Sequence, residues 1–567
     1  MPTAVAAGGV GTNLAWQAFC TTFAQSGRMA GGFCMAARSI ASATALLAGA
    51  NLLSRILGFG RDWLLAYGFG ATAQTDVYQA SFLLPDFLNY LLAGGALSVS
   101  FLPRMAKLYQ DERDLPEGAA RQSDEVFAIV FSLMALAATV LVALAFVFAE
   151  PIVRLWVHGF GEQQVADTVR LTRIVLPAQL CFLLGGLVQA CLLARQSFGA
   201  MALTPLLYNS GILIGGLIGT TMGRIDGFSW GALLGAIVGA LAVPLWSARG
   251  ILRIRWRFAP THPEVKAFLW TALPLIFGVS LTTVDEWLGK RFSSSFPEGS
   301  MTQLSMARKI MLVPIGLLGT AAGQATGAFL AKLHAAGDRD GLSATLARSL
   351  SAVVGLSLLL SGFFAACAQP IAAALFRWGR YSQASAEATA AVLVPLSLGI
   401  AAWGAQSVLA RAFFAVGDTW RPMIATSVVT VASLPLYFWG AQWPGHQLEG
   451  LALAGTLGML GQATALAAMA HRWLGLDARL FARSVARSAL VALVAAGVAW
   501  AVHRAVQGIW PQGWPVGLQA MATLAAAGVP WTLVALGLGG WLGMDGLLQR
   551  LQRWLPKRAE NTSKSPA

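Results

Sequence analysis

Stretches of about 20 or more mostly apolar residues recur from residue 40 to residue 543, and no other feature restricts the fold so severely. A bilayer has roughly 30 Å of hydrocarbon, which about 20 apolar residues can cross as a helix. Fourteen spans are predicted, near residues 40–68, 74–102, 126–149, 170–194, 198–221, 228–248, 267–292, 302–330, 345–369, 386–410, 420–440, 447–470, 484–503 and 516–543. Charged residues make up only 11% of the chain, against roughly a quarter in a soluble domain, so a water-soluble enzyme is excluded. The 61 glycines and 23 prolines do not signal disorder, because the apolar runs between them are too long to stay solvated. The expected fold is an all-α polytopic membrane protein.

The net charge of +14 raises the question of nucleic acid, and its placement answers it. With the N-terminus inside, 26 of the 39 Lys and Arg fall in cytoplasmic segments, 9 at the outer side and 4 within spans. That bias is the positive-inside pattern, and it puts both termini in the cytoplasm. The densest cluster, Arg249, Arg253, Arg255, Arg257 and Lys266, reads as a topology signal that meets anionic phospholipids, not nucleic acid. The five cysteines (Cys20, Cys34, Cys181, Cys191, Cys367) and six histidines show no metal-ligand spacing, so no metal, cofactor or disulfide framework is expected.

The chain repeats itself. "PIVRLWVHG" from Pro151 returns as "PIAAALFRWG" from Pro370, and the segment from Leu176 returns from Val394. Pro151 pairs with Pro370, Pro177 with Pro395, Gln189 with Gln406, Arg195 with Arg411, Phe198 with Phe414 and Pro205 with Pro422, at offsets of 216 to 219 residues. Such an offset carries six spans onto the next six, and an even number of crossings makes the two units parallel. The expected organisation is a loose cytoplasmic tail (1–38), an N-lobe of spans 1–6 (39–250), a C-lobe of spans 7–12 (251–475), and spans 13–14 with a basic amphipathic tail (476–567). Carriers built from such repeats hold substrate between the lobes and rock around it. Gly231, Gly235 and Gly239, four apart, suit close helix packing.

Ionisable residues inside a span cost about 2.5–3.5 kcal/mol even on the lenient insertion scale, so each needs a partner or a wet cavity. Span 1 carries Arg55, Arg61 and Asp62, with Gly58 and Gly60 permitting a bend that aims both arginines inward. Span 8 carries Arg308 and Lys309 ahead of Pro314, where a kink is expected. At 1.5 Å per residue, Arg55 lies about 23 Å from the inner start of span 1, and Lys309 about 10 Å from the outer start of span 8. Both therefore sit in the outer half, one in each lobe, and a phosphate or pyrophosphate is the natural ligand of such a cluster. The alternative pairs Arg61 with Asp62 or Asp76 and lets Arg308 and Lys309 snorkel outward. Asp285, Glu286 and Lys290 near the end of span 7 read as an interfacial salt-bridge group or as a gate.

The stretch "NLLSRILGFGRDWLLAYGFGATAQTDVYQASFLLPDFLNYLLAGGALSVSFLP" from Asn51 resembles the MurJ/MviN family of lipid II flippases, within the MATE-like polysaccharide-exporter superfamily. "TPLLYN" from Thr204, "LFRWGRYS" from Leu375 and "LARAFFAVGDTWRP" from Leu409 extend the likeness, which runs from about residue 40 to the end of span 14. The resemblance implies a bacterial inner-membrane protein that turns undecaprenyl-diphosphate-linked sugar from the cytoplasmic to the periplasmic face. It implies that Arg55, Arg61 and Asp76 belong to a central cavity, and that the acyl tail follows a groove formed with spans 13 and 14. Lys309 stands where the family has an arginine, Asn89 where it has another, and Gly94 where it has an acid.

Arg55, Arg61 and Lys309, with Arg308 and Asn89, are therefore the expected substrate-binding residues, Asp62 and Asp76 the charge-balancing ones, and Asp285, Glu286 and Lys290 the possible gate. No covalent step, cofactor or catalytic group is expected, and no protein partner can be named. The alternatives are a flippase for a capsule, exopolysaccharide or O-antigen repeat, a cation-coupled exporter of small molecules, and an intramembrane enzyme acting on lipid diphosphates. The mostly positive deep charges disfavour the exporter, and the lack of a convergent His or carboxylate cluster disfavours the enzyme.

Overall fold

The computed structural model describes residues 30–93, 101–112, 116, 121–252, 255–263, 266, 281–511 and 513–542, without the side chains of 30–45, 92, 93, 281, 282, 317, 320 and 321. The predicted amphipathic tail, Gly94, Arg253, and the 267–280 part of span 7 lie outside these residues. Every regular element described is helical.

The first half contains α1 (Ala30–Phe69), α2 (Ala73–Ser81), α3 (Leu83–Ala93), α4 (Leu102–Asp111), α5 (Gln122–Val147), α6 (Ala149–Trp156), α7 (Glu162–Val175), α8 (Ala178–Ala194), α9 (Gly199–Met222), α10 (Asp226–Gly235) and α11 (Val243–Ser247). The second half contains α12 (Leu281–Ser293), α13 (Ser300–Ile315), α14 (Ala321–Ala335), α15 (Arg339–Ala366), α16 (Ala368–Phe376), α17 (Gln383–Leu398), α18 (Ile400–Ala415), α19 (Trp420–Ala441) and α20 (Gln447–Leu474). Two further helices, α21 (Ala478–Val506) and α22 (Val516–Trp541), follow.

Among the described residues, nine helical segments are long and apolar enough to cross a membrane, or ten if the bent pair α17–α18 is one span. Fourteen spans were expected. Those of spans 2 and 8 are divided into helices of 9 to 16 residues, and part of span 7 is not described. Helix α1 is described from Ala30, within the stretch expected to form the cytoplasmic tail, and residues 1–29 lie outside those described.

The order of elements occurs twice. A long helix (α5 or α15) turns at Phe148 or Cys367 into a short one (α6 or α16), which carries the repeated "PI" motif. A divided span follows in each half: Pro177 separates α7 from α8, and Pro395 lies just ahead of a 41° bend between α17 and α18. Proline lacks the amide that would close the helical ladder, which gives both breaks the same cause. Helices α9 and α10 pack backbone to backbone. A Cβ added to Gly211 would lie 2.6 Å from the Gly235 Cα, so the small-residue stripe serves packing as expected. Helix α21 packs on α15, and α22 on α21 and α16, so the last pair attaches to the second half.

Span 8 does not break at Pro314. Helix α13 continues to Ile315 and loosens into a π-helical turn over Gly316–Thr320 before α14. Helix α1 likewise runs unbroken through Gly58 and Gly60.

Candidate functional site: a charged cluster between the halves

The halves meet where α1 and α2 face α13 and α16. Asp62, near the C-terminal end of α1, is the centre of the contact. Its Oδ1 accepts from Arg61 Nε at 3.0 Å and from Lys309 Nζ, across the gap on α13, at 2.8 Å. One carboxylate thus serves a cation from each half. Asp62 is buried, whereas the Arg61 and Lys309 side chains keep 23% and 28% of their surface open. The cations face free space and the anion sits behind them.

Arg55 reaches the same helix farther along. Its guanidinium lies on the backbone of Gly316, and a Cβ at that position would collide with Arg55 Nη1. Arg55 remains exposed, and among the described residues no carboxylate lies within ion-pair distance of it. Seven residues on α1 and seven from Lys309 to Gly316 each rise about 10 Å, so the contacts Asp62–Lys309 and Arg55–Gly316 mark two levels of one antiparallel seam. Three cations and one carboxylate leave an excess of two positive charges. Such a site suits an anion with two phosphates, because guanidinium and ammonium groups make strong charge-assisted hydrogen bonds to phosphate oxygens.

Two expected members belong elsewhere. Asp76 does not orient an arginine. Its Oδ2 accepts from the Gly299 amide at 2.7 Å, and its Oδ1 accepts from the amide and hydroxyl of Thr302 at 2.8 and 2.7 Å. The carboxylate therefore caps the N-terminus of α13, where the unpaired amides and helix dipole favour negative charge. Gly299 makes this possible: its φ of +89° suits glycine, and a Cβ there would strike the Ala71 backbone. Arg308 turns away from Lys309, as consecutive helical residues do, and pairs with Asp285 Oδ2 at 2.8 Å. Tyr437 donates to the other oxygen of Asp285 at 2.6 Å.

The expected gate group divides accordingly. Asp285 belongs with Arg308 and Tyr437, while Lys290 contacts Glu286 at 2.9 Å and Asp86, from the other half, at 4.0 Å. Asn89 stands exposed on α3, a helical turn beyond Asp86, and joins none of these clusters among the described residues. Sequence reasoning missed Asp86, Thr302, Tyr437 and Gly316. Asp86 and Tyr437 sit in apolar stretches of the sequence, where a polar side chain draws attention, whereas Thr302 and Gly316 carry no signal of that kind.

Further contacts across the halves gather near the Asp76 end. The Arg380 amide donates to the Tyr67 carbonyl at 2.9 Å, Ser295 Oγ lies 3.1 Å from His158 Nε2, and Arg291 donates to the Leu155 carbonyl. Trp287 of α12 packs against Phe87 and Trp156, with ring centroids 5.3 and 5.6 Å apart.

A doubled helical bundle, apolar enough to live in a bilayer and with an under-neutralised cationic cluster between its halves, defines a multi-pass membrane carrier. Comparison with known proteins identifies which kind. The family described as "Lipid II flippase MurJ" matches residues 65–518, and the chain belongs to that family. A probable lipid II flippase MurJ of Bdellovibrio bacteriovorus is 28% identical over 447 residues, which cover 76% of this chain and 81% of that protein. The lipid II flippase MurJ of Burkholderia cenocepacia is 27% identical over 411 residues, covering 69% and 76%. In fold, the chain matches a structure of lipid II flippase MurJ in an inward closed conformation with a TM-score of 0.72 at 21% identity, over 88% of this chain and 99% of that one. A multidrug-resistance MATE family transporter in an inward-facing conformation follows at 0.61 and 16% identity, over 74% and 94%.

Proposed function

We propose that this protein moves undecaprenyl-diphosphate-linked peptidoglycan precursor, lipid II, from the cytoplasmic to the periplasmic face of the bacterial inner membrane by alternating access. Family membership supplies the reaction. The single observation that carries the site is the Asp62 carboxylate shared by Arg61 and Lys309 across the two halves, with Arg55 exposed beside them.

In this reading, residues 39–250 and 251–475 form the two lobes, and residues 476–567 supply the appended helices and tail. Both termini are cytoplasmic, and the Asp76 end of the seam is periplasmic. Arg55, Arg61 and Lys309 hold the diphosphate while the lipid tail stays in the bilayer beside α21 and α22. Asp62 limits the mutual repulsion of the cations, and anionic phospholipids contact the cytoplasmic basic loops. The Asp76 cap and the Asp86–Lys290–Glu286 group act as a periplasmic latch that opens when the lobes rock. The work is positioning and electrostatics, with no bond made or broken.

A second reading, transport of another lipid-linked oligosaccharide, is favoured by Asn89 and Gly94 at positions where the resemblance implies an arginine and an acid. Complementation of a conditional lipid II flippase mutant separates the two. Rescue by wild type, with failure of well-expressed Arg55→Ala and Lys309→Ala, supports lipid II transport through this site. Absence of rescue by a well-expressed wild type moves the assignment to the second reading.

A further inference from the structure

The "TPLLYN" motif ends in Asn209 on α9, and no role described so far uses it. Its side chain reaches across to α1. Asn209 Nδ2 lies 2.9 Å from Ser54 Oγ, 3.4 Å from the Ser54 carbonyl and 3.1 Å from the Pro205 carbonyl, while Ser54 Oγ lies 3.4 Å from that same Pro205 oxygen. Ser54 immediately precedes Arg55. Gly58, one turn later, faces the same side chain, and a Cβ there would stand in ordinary contact 3.6 Å from Asn209 Oδ1.

The surroundings make this contact decisive for Arg55. Around it, α1 meets α9 on one side and is open on its others, with Leu52 56%, Leu53 48% and Ile56 59% exposed. Away from the α9 contact, apolar burial within the protein does little to fix the rotation of the helix at this level. A slip of one residue swings a side chain by about 100 degrees, enough to take a guanidinium from the cleft to the lipid. In a bilayer, hydrogen-bonding groups that separate find no water to replace their partners, so a polar clamp holds rotation where apolar contacts cannot. The Gly316 backbone on the opposite side receives the guanidinium that the clamp has aimed.

We propose that Asn209, acting through Ser54, is a positioning residue that fixes the rotation of α1 and so directs Arg55 at the anionic ligand. The inference rests on the reading of Arg55 as a substrate-binding residue, but the rotation it predicts is measurable without substrate.

Two measurements on the full-length protein test it. In a background with the native cysteines replaced by alanine, Arg55→Cys and Ile56→Cys are labelled separately with a membrane-impermeant thiol reagent. The ratio of the two rates should fall at least severalfold when Asn209→Ala is added, and Ser54→Thr, which retains the hydroxyl, should leave it near the wild-type ratio. An unchanged ratio overturns the proposal. Binding of inorganic pyrophosphate and of lipid II is then measured in a double-mutant cycle. Asn209→Ala should weaken binding by about tenfold, the scale of a charge-assisted hydrogen bond, when Arg55 is present, and by less than about twofold when Arg55→Ala is already in place. Equal losses in both backgrounds overturn the positioning role, because a general packing defect does not depend on Arg55. Should the wild type bind neither ligand, the functional reading fails, while the labelling ratio still decides whether Asn209 sets the helix rotation.

Discussion

The two groups of polar contacts across the halves differ in how fully they are satisfied. In the centre, one carboxylate answers to two cations and a third cation, Arg55, stands open. At the Asp76 end, each oxygen of that 3%-exposed carboxylate has a donor from the other half. A saturated polar group has little left to offer a ligand, and separating it from its partners leaves an expensive unpaired group. The central cluster, short of negative charge, gains by taking an anion. The difference separates binding from holding: the centre is built for a ligand, and the seam at its end for keeping the halves together until the ligand shifts the balance.

The strongest way to break this comparison is to remove a central cation. Arg55→Ala or Lys309→Ala deletes charge-assisted hydrogen bonds worth about 1.5–3 kcal/mol each, so affinity for lipid II or pyrophosphate should fall by roughly 10- to 150-fold. Titration of the purified variants against either ligand reads the effect, and wild-type affinity in both would show the central excess of charge to be irrelevant. Lys309→Arg sharpens the point. The planar fork can meet two phosphate oxygens at once, so binding should be retained or tightened.

A smaller change should follow from Asp76→Ala, which strips the cap from α13 without touching the centre. Caps contribute about 0.5–2 kcal/mol, so the closed arrangement should lose up to roughly thirtyfold in population relative to states with the seam parted. His158→Cys and Ser295→Cys, placed where the native side chains are 3.1 Å apart, report the seam by disulfide formation. Crosslinking should slow in the Asp76→Ala background while pyrophosphate affinity changes little. The reverse pattern, slower binding with an intact seam, would return Asp76 to the cation cluster.

Much of the fold was legible because apolar length is a local property. A stretch such as Gln122–Val147 announces itself without knowledge of its neighbours. The breaks were harder: Pro314 passes within a continuous helix that loosens afterwards, whereas Pro177 separates two helices, and only packing distinguishes them. In the site, Arg61 and Asp62 are adjacent in sequence and their pairing was one of the stated alternatives. Asp76 was misread because its partners are amides 223 and 226 residues away, and a backbone amide carries no residue-type signal. Arg308 and Lys309 were grouped by adjacency, although the helical rotation of about 100 degrees per residue sends neighbours to different partners.

The smallest expected effect concerns Glu286. Its i, i+4 partner Lys290 is buried, but the carboxylate itself is about half exposed, and Asp86 waits at 4.0 Å on the other side of the same ammonium. Half-exposed pairs contribute about 1 kcal/mol or less, and a second carboxylate can take over part of the lost interaction. Glu286→Gln should therefore slow the His158/Ser295 crosslink by less than about threefold, whereas Glu286→Gln with Asp86→Asn should exceed the product of the two single effects. Simple multiplicativity would mean that Lys290 does not link the halves, and the latch would then rest on the Asp76 cap and the aromatic contacts of Trp287.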